Sequence, residues 1–395
     1  MTHRDRVAEA LSHSEPDRCP WQASFTPEFA RRLRTELHLG GAGAHNPHGG
    51  GNPYDLEVAF DQDVLITSVG WANSYYGQGD EYVDEWGVGW QSVAYTTPYG
   101  VGHYTEPRGH PLADAGALAY YQPPDPTRPE LYADAQRLIA EHGDEYWIVG
   151  SAVTTIFETA WAMRGLEQLM IDFIEDPDLA DAILDIPYQY HLAAAETLAG
   201  MGVDMIWLGD DVGQQQGMLI SPRHWRRFLK PRLANIINRV KSVNPALKVA
   251  YHTDGCVYAI IPELIEIGLD VLNPVQPAAM DPARLKREYG RELCFWGSID
   301  EQHTMPFGRP DEVRREVEER VKTVGQDGGL ILAPTHHLQL DTPLENFWAL
   351  LEAVGGARPG VTPAMLGGEG QGLVGGRPDG GPAAANRPRR SRTLL

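Results

Sequence analysis

Leu247-Lys-Val-Ala-Tyr-His-Thr-Asp-Gly-Cys256 is a β-prone run that turns polar at its C-terminal end. A helix-like stretch, Ala259–Gly268, follows it, and a second run, Leu269–Asn273, repeats the design. Working outward in both directions, the unit recurs at Arg18–Ser24, Asp63–Thr67, Tyr146–Ser151, Met205–Gly209, Glu292–Gly297 and Gly329–Pro334. Strands alternating with helices across short loops predict a parallel sheet. Eight such units close a (β/α)8 TIM barrel better than they fit an open sheet, and no GxGxxG turn follows the first run. The expected fold class is therefore α/β, a (β/α)8 barrel.

Several helices announce their starts. Thr26-Pro27, Ser221-Pro222, Asp281-Pro282 and Thr342-Pro343 each pair a capping side chain with a proline at the first helical position. Between the second and third strands lies an insertion, about residues 70–140. Its segment Glu81–Thr105 alternates aromatic and polar residues around Tyr99-Gly100, a hairpin pattern. Its aromatics are expected to form the core of the insertion itself. Gly40–Pro53 reads as a loop, with His45 and His48 solvated. The barrel is expected over 1–354. The Gly/Pro/Arg-rich stretch 355–395 is too poor in apolar residues to order itself.

A net charge of −21 excludes polyanionic partners, because nucleic acid and anionic lipid reward neutralisation by Lys and Arg. Three cysteines without a CxxC pair form no disulfide framework and suit a reducing cytosol. No apolar run is long enough to span a membrane, and the first residues lead into a charged helix rather than a signal peptide. A cytoplasmic enzyme acting on a small molecule is expected.

The polar residues at the strand ends are the candidate machinery, since such barrels work at that face. His252, Asp254 and Cys256, around a glycine turn, offer nitrogen, oxygen and sulfur to a divalent metal such as zinc, with His336 across the mouth as a further ligand. The bland alternative is a hydrogen-bonded His252 and a Cys256 that packs the start of the next helix. Asp210 and Asp211 end one strand with side chains on opposite faces. One is a candidate anchor for substrate or a general acid/base, or else a helix cap. Gln214, Asn273, Gln276 and Tyr251 are candidate substrate contacts, although Asn273 also suits a turn. Asp300 and His303 form a candidate proton-transfer pair, or a turn.

Taken together, Arg4-Asp-Arg-Val-Ala-Glu-Ala-Leu11, Glu15-Pro-Asp-Arg-Cys-Pro-Trp21 and Lys248-Val-Ala-Tyr-His-Thr-Asp-Gly255 resemble the uroporphyrinogen decarboxylase superfamily. So do Gly268-Leu-Asp-Val-Leu-Asn-Pro-Val-Gln276, Phe295-Trp-Gly-Ser-Ile-Asp300 and Gly329-Leu-Ile-Leu-Ala-Pro-Thr-His336. The resemblance runs from residue 4 to about 354 and implies the same barrel. Porphyrinogen decarboxylases of this superfamily carry arginines after the first strand and an aspartate after the second. Here Gln22-Ala-Ser-Phe25 and Thr67-Ser-Val-Gly70 stand in those places.

The resemblance therefore implies the branch of corrinoid-linked methyltransferases, several of which hold zinc with a His-x-Cys pair and a later cysteine. His252 fits that pattern, while Asp254 stands where the first cysteine would be and His336 near the second. Such a ligand set implies methyl transfer from a small O- or N-methylated substrate to a corrinoid protein rather than thiol chemistry. A carboxy-lyase is the alternative, a tetrapyrrole- or metal-binding scaffold is a third reading, and relatives imply a homodimer.

Overall fold

The first strand of the main sheet, β1 (Val64–Ser68), is buried at every position, as are most of its neighbours, because a parallel sheet is covered on both faces. An inserted antiparallel sheet follows, made of β2 (Glu81–Val83), β3 (Gly89–Thr97) and β4 (Gly100–Gly109). Then come β5 (Trp147–Val153), β6 (Met205–Gly209), a short hairpin of β7 (Gly213–Gln214) and β8 (Gly217–Met218), and β9 (Lys248–His252). β10 (Val271–Asn273), β11 (Cys294–Ile299) and β12 (Leu330–Pro334) complete the set. Seven strands form one parallel sheet in the order β1-β5-β6-β9-β10-β11-β12. This is a computed structural model, and it describes residues 1–39, 45–70 and 79–356. The expected tail, beyond Gly356, lies outside the described residues.

The eighth position of the barrel departs from the expectation of a regular strand at Arg18–Ser24. Only isolated parallel bridges form there, Trp21 to Leu332 and Phe25 to Leu338. Pro20 has no N–H to give, and on the β1 side the partners are mostly side chains. Trp21 N–H donates to Asp63 Oδ2 at 2.9 Å, Ala23 N–H donates to Gln62 Oε1 at 2.9 Å, and Asp63 N–H donates to the Trp21 carbonyl at 3.0 Å. Asp63 is wholly buried and also accepts from Arg6 Nη1 at 2.7 Å and Arg18 Nη1 at 2.5 Å.

Inside the barrel lie Val64, Ile66, Trp147, Val149, Met205, Trp207, Ala250, Trp296 and Ala333. Helix His3–Leu11 crosses the N-terminal ends of the strands, bonded to Glu145 and Gly329, and inserts Val7 and Leu11 into the same cluster. Burying each large apolar side chain is worth about 1.5–3 kcal/mol. A missing ladder bond costs only about 0.5–1.5 kcal/mol. The packed interior therefore closes the barrel despite its irregular eighth position. With one end plugged, the C-terminal end is left for chemistry.

Ser221 and Asp281 cap their helices through side-chain bonds, whereas Thr26 makes no such bond and Pro343 takes the cap position at the last helix. In the insertion, Trp86 and Trp90 are buried and Tyr82 stacks on Trp90 at 6.2 Å, while Tyr104 stays exposed. Among the described residues no helix is long and apolar enough to cross a membrane.

Candidate active site

β9 alternates Ala250 and His252 toward the barrel axis with Tyr251 toward the surrounding helices. His252 Nδ1 lies 2.6 Å from Asn273 Oδ1, at the end of β10. Asn273 spends its amide N–H on the Trp296 carbonyl at 3.0 Å, so its oxygen must face the imidazole. The proton of His252 is thereby held on Nδ1 and the lone pair on Nε2. Nε2 faces Asp211 Oδ1 at 3.6 Å and Asp254 Oδ1 at 3.8 Å.

The turn beyond β9 sets the carboxylates. Asp254 N–H donates to Asp211 Oδ1 at 2.8 Å, and Gly255 N–H donates to Gln276 Oε1 at 2.8 Å. Gly255 sits at φ +79°, and a Cβ there would meet the Gln214 backbone nitrogen at 2.5 Å. Only glycine lets the β7 hairpin close over the turn. The hairpin in turn accepts Cys256 N–H at the Gln214 carbonyl, 2.8 Å away, while the Gln214 side chain is exposed.

Ligand atoms of Asp211, His252 and Asp254 all lie within 4.8 Å of one another. Asp254 Oδ1 is buried without a hydrogen-bond partner. Burial and the charge of Asp254 raise the carboxyl of Asp211, and burial raises that of Asp254. A carboxylate pair that ionises reluctantly, an unpartnered oxygen and a lone-pair-bearing imidazole with its other nitrogen anchored together fit a divalent cation.

Glu158, which the sequence reading passed over, stands close enough to this cluster to feel its charges. It opens helix Phe157–Arg164 and is 7% exposed. Burial, with the charges of Asp211 and Asp210, pushes its carboxyl well above the usual range. A single acid in the apolar run Phe157-Glu-Thr-Ala-Trp161 was the one available signal.

The ring of His252 also lines an open hollow, together with Gln22, Ser24, His48, Trp207, Asn273, Thr335, His336 and His337. His336 lies 6.4 Å from His252 between ring centroids, and His48 stands edge-on to His337 at 4.8 Å. Burial lowers His336 to about 4 and His48 to about 3, so both are neutral near pH 7. His48 arrives here because its loop dives beneath the rim. Gly49, at φ +91°, passes so close to β1 that a Cβ would sit 2.1 Å from the Ile66 carbonyl. His45 is buried and His48 half-buried, so neither histidine of this loop is the solvated residue expected.

Other expected site residues stand elsewhere. Asp210 turns outward and accepts the N–H groups of Ile156 at 2.9 Å and Glu158 at 3.0 Å, capping the helix rather than meeting a ligand. Tyr251 follows it outward, its hydroxyl 3.5 Å from the Asp210 carbonyl. The Cys256 thiol is not in the ligand cluster and packs against the outer core, because the glycine turn carries it past the carboxylates. Asp300 accepts N–H groups from Gln302 at 2.7 Å and His303 at 3.2 Å as a loop turn, and the His303 side chain is 74% exposed. Neither lines the hollow. His336 shares the hollow with His252 without joining the close ligand set.

A parallel barrel with its polar groups gathered at the C-terminal rim is an enzyme architecture. The sequence profile of the family described as Uroporphyrinogen decarboxylase (URO-D) matches residues 95–356, and the chain belongs to that family. It is 31% identical over 181 residues to the methylcobamide:CoM methyltransferase MtaA of Methanosarcina barkeri, covering 46% of this chain and 50% of that protein. Similarity to the methylated-thiol–coenzyme M methyltransferase of Methanosarcina mazei is 23% over 248 residues, covering 60% and 63% of the two chains. The uroporphyrinogen decarboxylase of Salinibacter ruber is 27% identical over 167 residues, 41% of each chain. The chain thus spans about half the length of the curated relatives it matches. A solved methyltransferase from Methanosarcina mazei superposes with a TM-score of 0.64 at 20% identity, over 90% of this chain and 98% of that one, and shares the fold.

Proposed function

We propose that this chain is a methyltransferase that moves a methyl group from a small O- or N-methylated substrate to a corrinoid carried by a partner protein. The observation that carries the proposal is the arrangement of His252 Nε2 opposite Asp211 and Asp254, with Asp254 Oδ1 unpartnered. These three residues would hold a divalent metal, whose Lewis acidity draws electron density from the substrate heteroatom as its methyl leaves. An oxygen- and nitrogen-based set without thiolate suits a hard heteroatom better than a thiol.

The rest of the work falls to the chain's own groups. Asn273 fixes the imidazole, and Gln276 fixes the turn that carries Asp254. Trp207 lines the hollow with a flat apolar face, and the buried Trp296 packs against it at 4.9 Å between ring centroids. His336, neutral and at the wall, is placed to donate a hydrogen bond to the heteroatom that takes up negative charge. The likeness to the Methanosarcina barkeri relative, whose name specifies a methylcobamide, supports the corrinoid as the methyl carrier.

Decarboxylation is the competing reading, since a decarboxylase stands among the relatives. The two separate in one assay series. Methyl transfer predicts that zinc-loaded protein, free cob(I)alamin and a methoxy donor give the absorbance of methylcobalamin, with loss on His252→Ala. Release of CO2 from a carboxylated donor, with no change at the corrinoid, would overturn it.

A further inference from the structure

We propose that the substrate of this site is uncharged: a small methyl ether or methylated alcohol bearing neither an acidic nor an ammonium group. The inference rests on the methyl-transfer reading for the group that moves, but the recognition it describes is testable by binding alone. Among the described residues, no Lys or Arg lines the hollow. The stretches outside the description, 40–44 and 71–78, contain no charged residue in sequence, so neither can supply one. Residues 357–395 do contain arginines, so full-length chain is used in the test below.

What the walls offer is neutral hydrogen bonding. Gln22 donates its amide to Ser24 Oγ at 2.8 Å, which leaves the Ser24 hydroxyl proton free to turn toward a ligand. Thr335 and the imidazoles of His336 and His48 add donors and acceptors without charge. The indole of Trp207 supplies a flat apolar face. A carboxylate or sulfonate in this hollow would lose its water and find no Lys or Arg in exchange, and the divalent ion at its edge would already have its two charges matched by Asp211 and Asp254. An ammonium group fares no better once Asp211 and Asp254 share a divalent ion, because two negative charges are then matched by two positive ones. An uncharged ether loses little on entry and keeps its heteroatom free for the metal side of the hollow.

The test is calorimetric titration of the zinc-loaded full chain with two matched series. One is anisole, 4-methoxybenzoate and (4-methoxyphenyl)trimethylammonium, and the other is 2-methoxyethanol, methoxyacetate and (2-methoxyethyl)trimethylammonium. In at least one series the uncharged member should bind on the order of 100-fold more tightly than both charged ones, the scale set by burying an unpaired charge. Gln22→Arg should narrow the gap against the carboxylate by at least about tenfold, since it installs the missing partner, with Ser24→Lys as the second variant if the first fails to fold. Equal or tighter binding of a charged member in either series, or no binding by any of the six, overturns the proposal. Methylation of cobalamin by a charged donor would remove this inference and leave methyl transfer standing. Uncharged binding with no methylation in any condition would do the reverse.

Discussion

His252 Nδ1 lies 2.6 Å from Asn273 Oδ1, and that one contact decides which nitrogen of the imidazole is free. Partners of this kind, set behind a metal ligand, change affinity when removed by about 10–100-fold. Asn273→Ala should weaken zinc binding by that factor in competition with a chromogenic chelator, and Asn273→Asp, which keeps an acceptor at the same place, should restore most of it. Unchanged affinity in the alanine variant would show that the contact has no such role.

Asp63 holds the barrel's irregular seam. Burial alone would raise its carboxyl, but hydrogen bonds from His3 and Arg18 and the Arg18 charge win and hold it below the usual range. Asp63→Asn takes the buried carboxylate from Arg6, which keeps Asp17, and from Arg18, which keeps Asp61, and should destabilise the fold by about 1–3 kcal/mol in urea. The native carboxyl being the more acidic one, its contribution is complete above its unfolded value near 4 and is lost as pH falls through the lower folded value. Acid unfolding of the wild type should therefore be steeper than that of Asp63→Asn.

Glu158 makes the opposite prediction. Its folded carboxyl holds its proton to higher pH than the unfolded one, so its contribution is present in acid and drains away as pH rises through the folded value. Glu158→Gln, a permanent neutral copy, should match the wild type at pH 5 to within about 1 kcal/mol in metal-free protein. At pH 8 it should be the more stable of the two. A variant that is less stable at both values would contradict the protonated state.

Gly49 has a conformational role. A side chain there meets the Ile66 carbonyl at 2.1 Å and must also adopt φ +91°. Gly49→Ala should lower stability by about 1–3 kcal/mol in thermal unfolding and push the loop out of the rim. The ring of His48 would then leave the hollow, read as a rise of its imidazole pKa from about 3 toward its solvent value by NMR titration.

Most of the barrel was legible because its strands are continuous apolar runs with polar ends, and β1, β5, β6, β9, β10, β11 and β12 stand within a few residues of where those runs lie. Arg18–Ser24 misled because its partners on the β1 side are mostly the side chains of Gln62 and Asp63, which no periodicity reveals. At the site, His252, Asp211 and Asp254 were visible as strand-end residues. Which way a turn faces was not, so Cys256, Asp210 and His303 looked equally eligible. His48 was hidden in a glycine-rich stretch whose composition suggests solvent, although Asn46 and Asn52 tie that loop down by bonds of 2.8 Å. Glu158 was hidden by its apolar neighbours, which bury it.

The ion itself gives the most direct test. Elemental analysis of protein purified without chelator should find one divalent metal per chain, and it should fall to background in His252→Ala and in Asp211→Asn, with circular dichroism unchanged. Wild-type protein that takes up no metal even from a zinc-supplemented buffer, or an ion retained in the Asp211→Asn, His252→Ala double variant, would contradict the account.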